Sequence, residues 1–297
     1  MTRPLESVPN FSEGRDRATI QALAQALGGR AHLLDVHADA DHNRSVFSLV
    51  GSAEELVESL LAGIAAARER IDLRRHEGAH PRIGAADVVP LVPLVPEDMG
   101  RARAGALALA ERVGRDLGLP VFLYGELGGG RGPAFFRSGG SDALVRRVAG
   151  GELVPDYGPA RLDERAGAVL IGARRPLIAF NVNLRGSLDA ARAVAAAVRE
   201  RDGGFPGVRA LGLELPSVGL VQVSMNVEDY EAAALHEIVA RVEREAEARG
   251  AEVAGSELVG LMPAGAAVAA AGAMLRIDGF DPSHVLELRL LDVDSGA

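Results

Sequence analysis

R-H-E-G-A-H-P-R-I-G-A-A-D-V-V-P, residues 75–90, decides how the first half of this chain folds. His76 and His80 stand four apart with Glu77 between them, which spells the zinc-protease pattern. That pattern works only on a continuous helix, where both imidazoles aim at one metal. Gly78 lies inside the would-be turn, and Pro81 disfavours helical backbone at His80 itself. The stretch therefore reads as a loop that presents a histidine and then enters an apolar strand near 88–92.

Working outward from the loop gives the rest of a unit. Upstream, Ser52 with Glu55 three residues on forms a capping box that opens a helix to about residue 70. Before it, 31–36 and 45–50 read as buried strands. Ile20, Leu23 and Leu27 mark an earlier helix that stops at Gly28 and Gly29, after a short strand at 5–8. The order is βαββαβ, the split ferredoxin-like unit. Downstream, a strand at 177–184 precedes a helix capped by Ser187 and running through residue 199. Strands near 208–213 and 220–227, a helix over 229–249 and a strand at 252–258 repeat the order. A helix at 97–117, a strand at 121–124 and a Gly/Pro-rich region to about 167 lie between the two. An Ala-rich helix follows Pro263, and Asp281-Pro282 caps a last one. The expected fold is α+β. It has two ferredoxin-like subdomains, 1–175 and 176–297, with a cleft between them, plus C-terminal helices.

Composition removes whole classes of chemistry. The 297 residues include no cysteine, which excludes disulfides, thiolate zinc sites and cysteine nucleophiles. All 32 basic residues are arginine, so neither a lysine Schiff base nor a Walker-type phosphate loop has its lysine. Gly128-Gly129-Gly130-Arg131-Gly132 reads as a mobile loop rather than a phosphate cradle. A net charge of −9 argues against general nucleic-acid binding. The first residues lack the apolar core of a signal peptide. The most apolar stretch, 253–275, holds Glu257, Pro263 and several glycines, so a cytoplasmic protein with no membrane span is expected.

Two polar clusters remain. In D-V-H-A-D-A-D-H-N-R, residues 35–44, alternation sets Asp35, His37 and Asp39 on one face of a strand. The cluster offers N and O ligands for a metal, or the turn chemistry of a solvated hairpin. His80, on a loop bracketed by Arg75 and Arg82, is the candidate proton carrier. Fixed positive charge lowers an imidazole's pKa and favours the neutral form that accepts a proton. Guanidinium forks also suit carboxylates. His236 fits a helix interior, and His284 falls in the first turn of the last helix.

V-P-N-F-S-E-G-R at 8–15, L-L-D-V-H at 33–37 and N-R-S-V-F at 43–47 resemble the formiminotransferase domain family, whose members occur alone or fused to a cyclodeaminase. The 75–90 segment, V-F-L-Y-G-E, P-D-Y-G-P and L-I-A-F-N-V-N-L extend the likeness in constant order over about 5–290. The resemblance implies glutamate formimidoyltransferase activity, which belongs to histidine degradation and one-carbon metabolism. That activity moves the formimino group of N-formimino-L-glutamate to N5 of (polyglutamylated) tetrahydrofolate, used as co-substrate with no metal. It also implies a homodimer, and a separate cyclodeaminase to receive the product. Within the family motif H-x-G-x-H-P-R the second histidine, His80, is catalytic. The folate-contacting segment after P-D-[FY]-G-P becomes Gly158, Pro159, Ala160, Arg161, Leu162, Asp163, Glu164, Arg165, Ala166 and Gly167. Substrate-binding positions are Asn10, Asp35, His37, Asn43, Arg44 and Arg82. His37 stands where the vertebrate-type L-D-V-D-A has an acid, and the folate segment lacks the aromatic of the fused enzymes.

The residues suit this chemistry on their own terms. Attack of an amine on an amidine needs one nitrogen to lose a proton and another to gain one, and a single imidazole can do both. Asp35 suits the cationic carbon; Arg44 and Arg82 suit the carboxylates. Two other readings stand beside it: a relative acting on another folate derivative such as 5-formyltetrahydrofolate, and a metal-dependent hydrolase using His37, His42, His76 and His80.

Overall fold

The computed structural model describes residues 3–294. They divide into two units, Met1–Pro176 and Leu177–Ala297. In the first, β1 (Leu5–Ser7) and β2 (Asn10–Phe11) form one strand interrupted at Pro9, whose carbonyl accepts from Phe47. Helix α1 (Arg17–Leu27), strands β3 (His32–Asp39) and β4 (Arg44–Gly51), helix α2 (Ala53–Arg70) and β5 (Ala86–Pro93) follow. The antiparallel order β3, β4, β1/β2, β5 is that of a ferredoxin-like sheet. Helix α3 (Met99–Asp116), β6 (Val121–Gly125), α4 (Pro133–Arg137), α5 (Gly140–Ala149) and β7 (Val169–Ala173) then enlarge it. β7 and β6 join beyond β5, both parallel to their neighbours.

The sheet has two differently used faces. On one, Leu23 and Leu27 of α1, Leu56, Leu60 and Ile64 of α2 and Leu109 of α3 bury Phe11, Phe47, Leu49, Val89 and Leu91. On the other, Phe136 of α4 with Leu144 and Val148 of α5 cover Phe122, Tyr124 and Leu170. Over β3 and β4 that second face turns polar. Directly opposed residues share a face, so the pairs Asp35 with Ser48, His37 with Val46 and Asp39 with Arg44 lie together, and Asn10 lies beside Val46.

The second unit repeats the topology. β8 (Ile178–Arg185), α6 (Leu188–Val198), β9 (Val208–Leu215), β10 (Leu220–Val227), α7 (Leu235–Glu247) and β11 (Glu252–Val259) give the antiparallel order β11, β8, β10, β9. Phe180, Val182, Val223 and Met225 pack against Val194 and Ile238. Helices α8 (Ala264–Leu275) and α9 (Leu286–Asp294) close the described chain. Among the described residues no helix is long and apolar enough to cross a membrane.

Both polar caps work as their side chains suggest. Ser52 accepts from the Glu55 amide while the Glu55 carboxylate accepts from the Ser52 amide, and Ser187 accepts from Ala190. Four local readings need correction. β3 is an edge strand and is not buried: Leu34 is 55% and Val36 39% exposed, while Leu33 packs partly against the core. The helix expected from residue 229 starts at Leu235, because Asp229 caps a separate turn through the Ala232 amide. The Gly/Pro-rich region holds α4 and α5 and is followed by β7, and its glycine run is a turn closed by Arg131 bonds to Gly128 and Gly125. His284 sits in a 3-10 turn before the last helix rather than in it.

Candidate active site

The 76–85 loop crosses the end of the sheet near the β3–β4 hairpin, and a dense set of bonds holds it there. Asn43 has a positive φ of 46°, a conformation that asparagine tolerates better than most side chains. Its Oδ1 accepts from the Gly14 amide at 2.9 Å, and its Nδ2 donates to the Glu77 carbonyl at 2.9 Å. Its carbonyl accepts from His76 Nε2 at 3.0 Å, and the Ala79 amide donates to the Asp41 carbonyl at 3.0 Å. At Gly78 an added Cβ would stand 2.4 Å from the His42 carbonyl, so only glycine admits this approach. Both nitrogens of His76 are committed: Nε2 donates to Asn43, and Nδ1 accepts from Arg82. The same guanidinium donates to the Gly78 carbonyl at 2.8 Å and the His80 carbonyl at 2.7 Å. Arg82 thus fastens the loop from inside.

The loop's far side meets the segment after Tyr157. Gly84 and Gly167 form a β-bridge, the Ala85 amide donates to Ala166 at 2.8 Å, and the Ala168 amide donates to Ile83 at 3.0 Å. Gly167 has φ +69°, and an added Cβ would lie 2.1 Å from the Ile83 carbonyl. Asp163 caps this turn by accepting from the amides of Arg165 at 2.9 Å and Ala166 at 2.8 Å. Leu162 packs on the cluster beneath α4 and α5, while Gly158, Ala160, Arg161, Glu164 and Arg165 are exposed. The fold therefore brings the stretch 158–167 to the histidine loop from about eighty residues away in sequence.

His80 lies between these supports, with its ring 6.0 Å from that of His42. Part of its surface stays open to solvent while most of the ring is surrounded by protein. Burial pushes its pKa well below the usual imidazole range. The charges of Arg44 and Arg137 and the nearby His42 push the same way, and a hydrogen bond to the Pro81 carbonyl opposes them. The imidazole is therefore neutral near pH 7 and able to take a proton. Arg75, expected to share this role, is exposed, and the charge comes from Arg44 and Arg137 instead.

Asn10 directs its Nδ2 to the Val8 carbonyl at 3.0 Å. Asp35, His37 and Arg44 occupy the polar face of β3 and β4 described above. The four histidines of the hydrolase reading do not converge: His76 is tied up twice, and among the described residues no three His, Asp or Glu side chains gather to hold an ion. Sequence reasoning missed Asp87 and Arg137. Asp87 is the extra residue of a bulge between Asn10–Val88 and Phe11–Ala86 pairs, and is 3% exposed. It accepts from the Ile83 amide at 2.6 Å and from Arg137. The available signal was an acid at the head of an otherwise apolar strand, which must find a partner when buried.

A neutral imidazole set among arginines, in a chain with neither thiol nor lysine, has the chemistry to move protons beside an anion. Residues 4–174 match the family model "Formiminotransferase domain, N-terminal subdomain", and 179–280 match "Formiminotransferase domain". The chain is 37% identical to a glutamate formimidoyltransferase of Streptococcus pyogenes over 98% of this chain and 100% of that one. It is 38% identical to one of Thermoplasma acidophilum over 96% and 97%. Against the formimidoyltransferase-cyclodeaminase of Rattus norvegicus it is 39% identical over 89% of this chain and 51% of that longer protein. The chain belongs to the formiminotransferase domain family.

Proposed function

We propose that this chain transfers the formimino group of N-formimino-L-glutamate to N5 of tetrahydrofolate, releasing L-glutamate and 5-formiminotetrahydrofolate. The observation that carries the reading is the neutral imidazole of His80 beside Arg44, on a loop immobilised from both sides. The relatives named above supply the reaction.

In this scheme the N5 lone pair attacks the amidinium carbon and a C–N5 bond forms. His80 takes the proton that N5 sheds, then returns it to the glutamate nitrogen as the old C–N bond breaks. One imidazole serves as base and then acid, which is worth about 10²–10⁴ in rate. Juxtaposing amine and amidine contributes further. Asp35 faces the cationic carbon, and Arg44 takes a donor carboxylate, with Asn10 and His37 lining the same face. Asn43 and Arg82 act by holding the loop. Residues 158–167 receive the folate, a role supported by their pairing with the loop at Gly84. The N-terminal unit carries the proton chemistry. The same reading carries a cytoplasmic homodimer and a separate cyclodeaminase as recipient of the product.

The test is direct formation of the 5-formimino product. His80→Gln is expected to lower kcat by at least about 10²-fold while tetrahydrofolate binding, followed by fluorescence or calorimetry, persists. Undiminished turnover by that variant, or no transfer by the wild type, would overturn the proposal.

A further inference from the structure

Arg137 belongs to none of the motifs that point to the family, yet it occupies a distinctive position. It ends α4, is 16% exposed, and its Nη2 donates to Asp87. A guanidinium and a carboxylate normally meet as a two-pronged fork. Here the second Asp87 oxygen is taken by the Ile83 amide, at the end of the histidine loop, so Arg137 is held by one prong. Its Nε is buried without an acceptor. Tyr124, on the same sheet face, adds a buried hydroxyl near Arg174; burial pushes its pKa up to about 12, so it keeps its hydrogen. A buried N–H left unpaired, as Nε is, is costly to keep. The charge of Arg137 also reaches His80, as do those of Arg44 and His42.

We propose that Arg137 recognises a carboxylate of the donor substrate and that Asp87, through its bulge, is the residue that positions it. The inference rests on the function proposed above and extends it: a guanidinium held by a single prong has donors left over for an anionic ligand. Asp87 couples the two halves of the site, since one oxygen fixes the end of the His80 loop and the other aims the guanidinium.

Steady-state kinetics of the full chain test this with formiminoglutamate and its two mono-amides. The wild type should discriminate against at least one amide. Arg137→Gln should raise KM for formiminoglutamate by about 10- to 100-fold, the worth of a hydrogen bond to a charged group. It should leave KM for tetrahydrofolate nearly unchanged and erase the preference over that amide. The acid limb of kcat/KM should move to higher pH, because a cation beside His80 is gone while Arg44 and His42 remain. Arg137→Lys should restore part of the preference, and the exposed control Arg146→Gln should behave as wild type. Transfer with unaltered selectivity in Arg137→Gln overturns the proposal. So does an equal rise of both KM values with a lowered melting temperature, which marks a purely structural tether. Absence of transfer by the wild type sinks the functional reading and the carboxylate assignment with it.

Discussion

At the scale of single residues, His80 shows how environment outweighs identity. Seven histidines share one intrinsic acidity; burial, two arginines and a neighbouring ring depress this one. The linkage has a definite sign. In the unfolded chain His80 titrates near pH 6.5, and in the folded chain it titrates lower, so between those values the unfolded state holds more protons. Its contribution to stability is complete above about pH 6.5 and falls as pH drops toward the folded-state pKa. Melting curves of wild type and His80→Gln between pH 7.5 and 5.5 should therefore diverge, the wild type losing more on acidification. Parallel curves would contradict the depressed pKa. The histidine itself was legible, because proline and glycine forbid the helix a zinc pair requires. The parts played by His76 and Arg82 were not: a sequence shows that arginine can grip a carboxylate, but not that nearer carbonyls of its own loop will occupy it first.

At the scale of elements, local chemistry read well wherever it decides locally. The Ser52 box and the Ser187 cap satisfy amides within three residues, and the apolar runs of β4, β8 and β10 mark them as strands. Elements decided at a distance escaped. β7 is a short apolar run, V-L-I-G-A, that fits a buried strand or a piece of helix alike, and pairing with β5 and β6 makes it a strand. Helices α4 and α5 begin at glycines that read as breakers, and are held by Phe136, Leu144 and Val148 against the sheet. The close approach of Gly167 to Ile83 belongs to this scale too. Gly167→Ala meets both a left-handed backbone and a carbonyl at 2.1 Å, and should destabilise the chain by about 2–4 kcal/mol. Because the histidine loop leans on that turn, turnover should fall as well. Chemical denaturation and product assay measure the two effects, and a neutral substitution would refute the bracing role.

At the scale of the molecule, two halves with almost no common residues reach the same strand order. Periodicity suffices to write the βαββαβ order, but the extension of the first half by a parallel pair was beyond it, since parallel neighbours are joined across long crossovers. The arginines around His80 sit in a chain of net charge −9, so their field is local. The protein should pass a polyanion column without retention at about 0.15 M salt, where surface fields fade within ~8 Å. Retention would point to a wider basic surface.

The bridge between Gly84 and Gly167 also sets a schedule. A ribosome adding about 5–20 residues per second makes the second glycine about 4–17 s after the first. During that interval the nascent histidine segment has its hairpin neighbour but not its opposite brace. Birth of a working centre thus waits on translation of a turn far downstream. Nascent chains stalled before residue 160 should leave the Ala85 amide open to solvent exchange, and those released from the tunnel beyond residue 173 should close it.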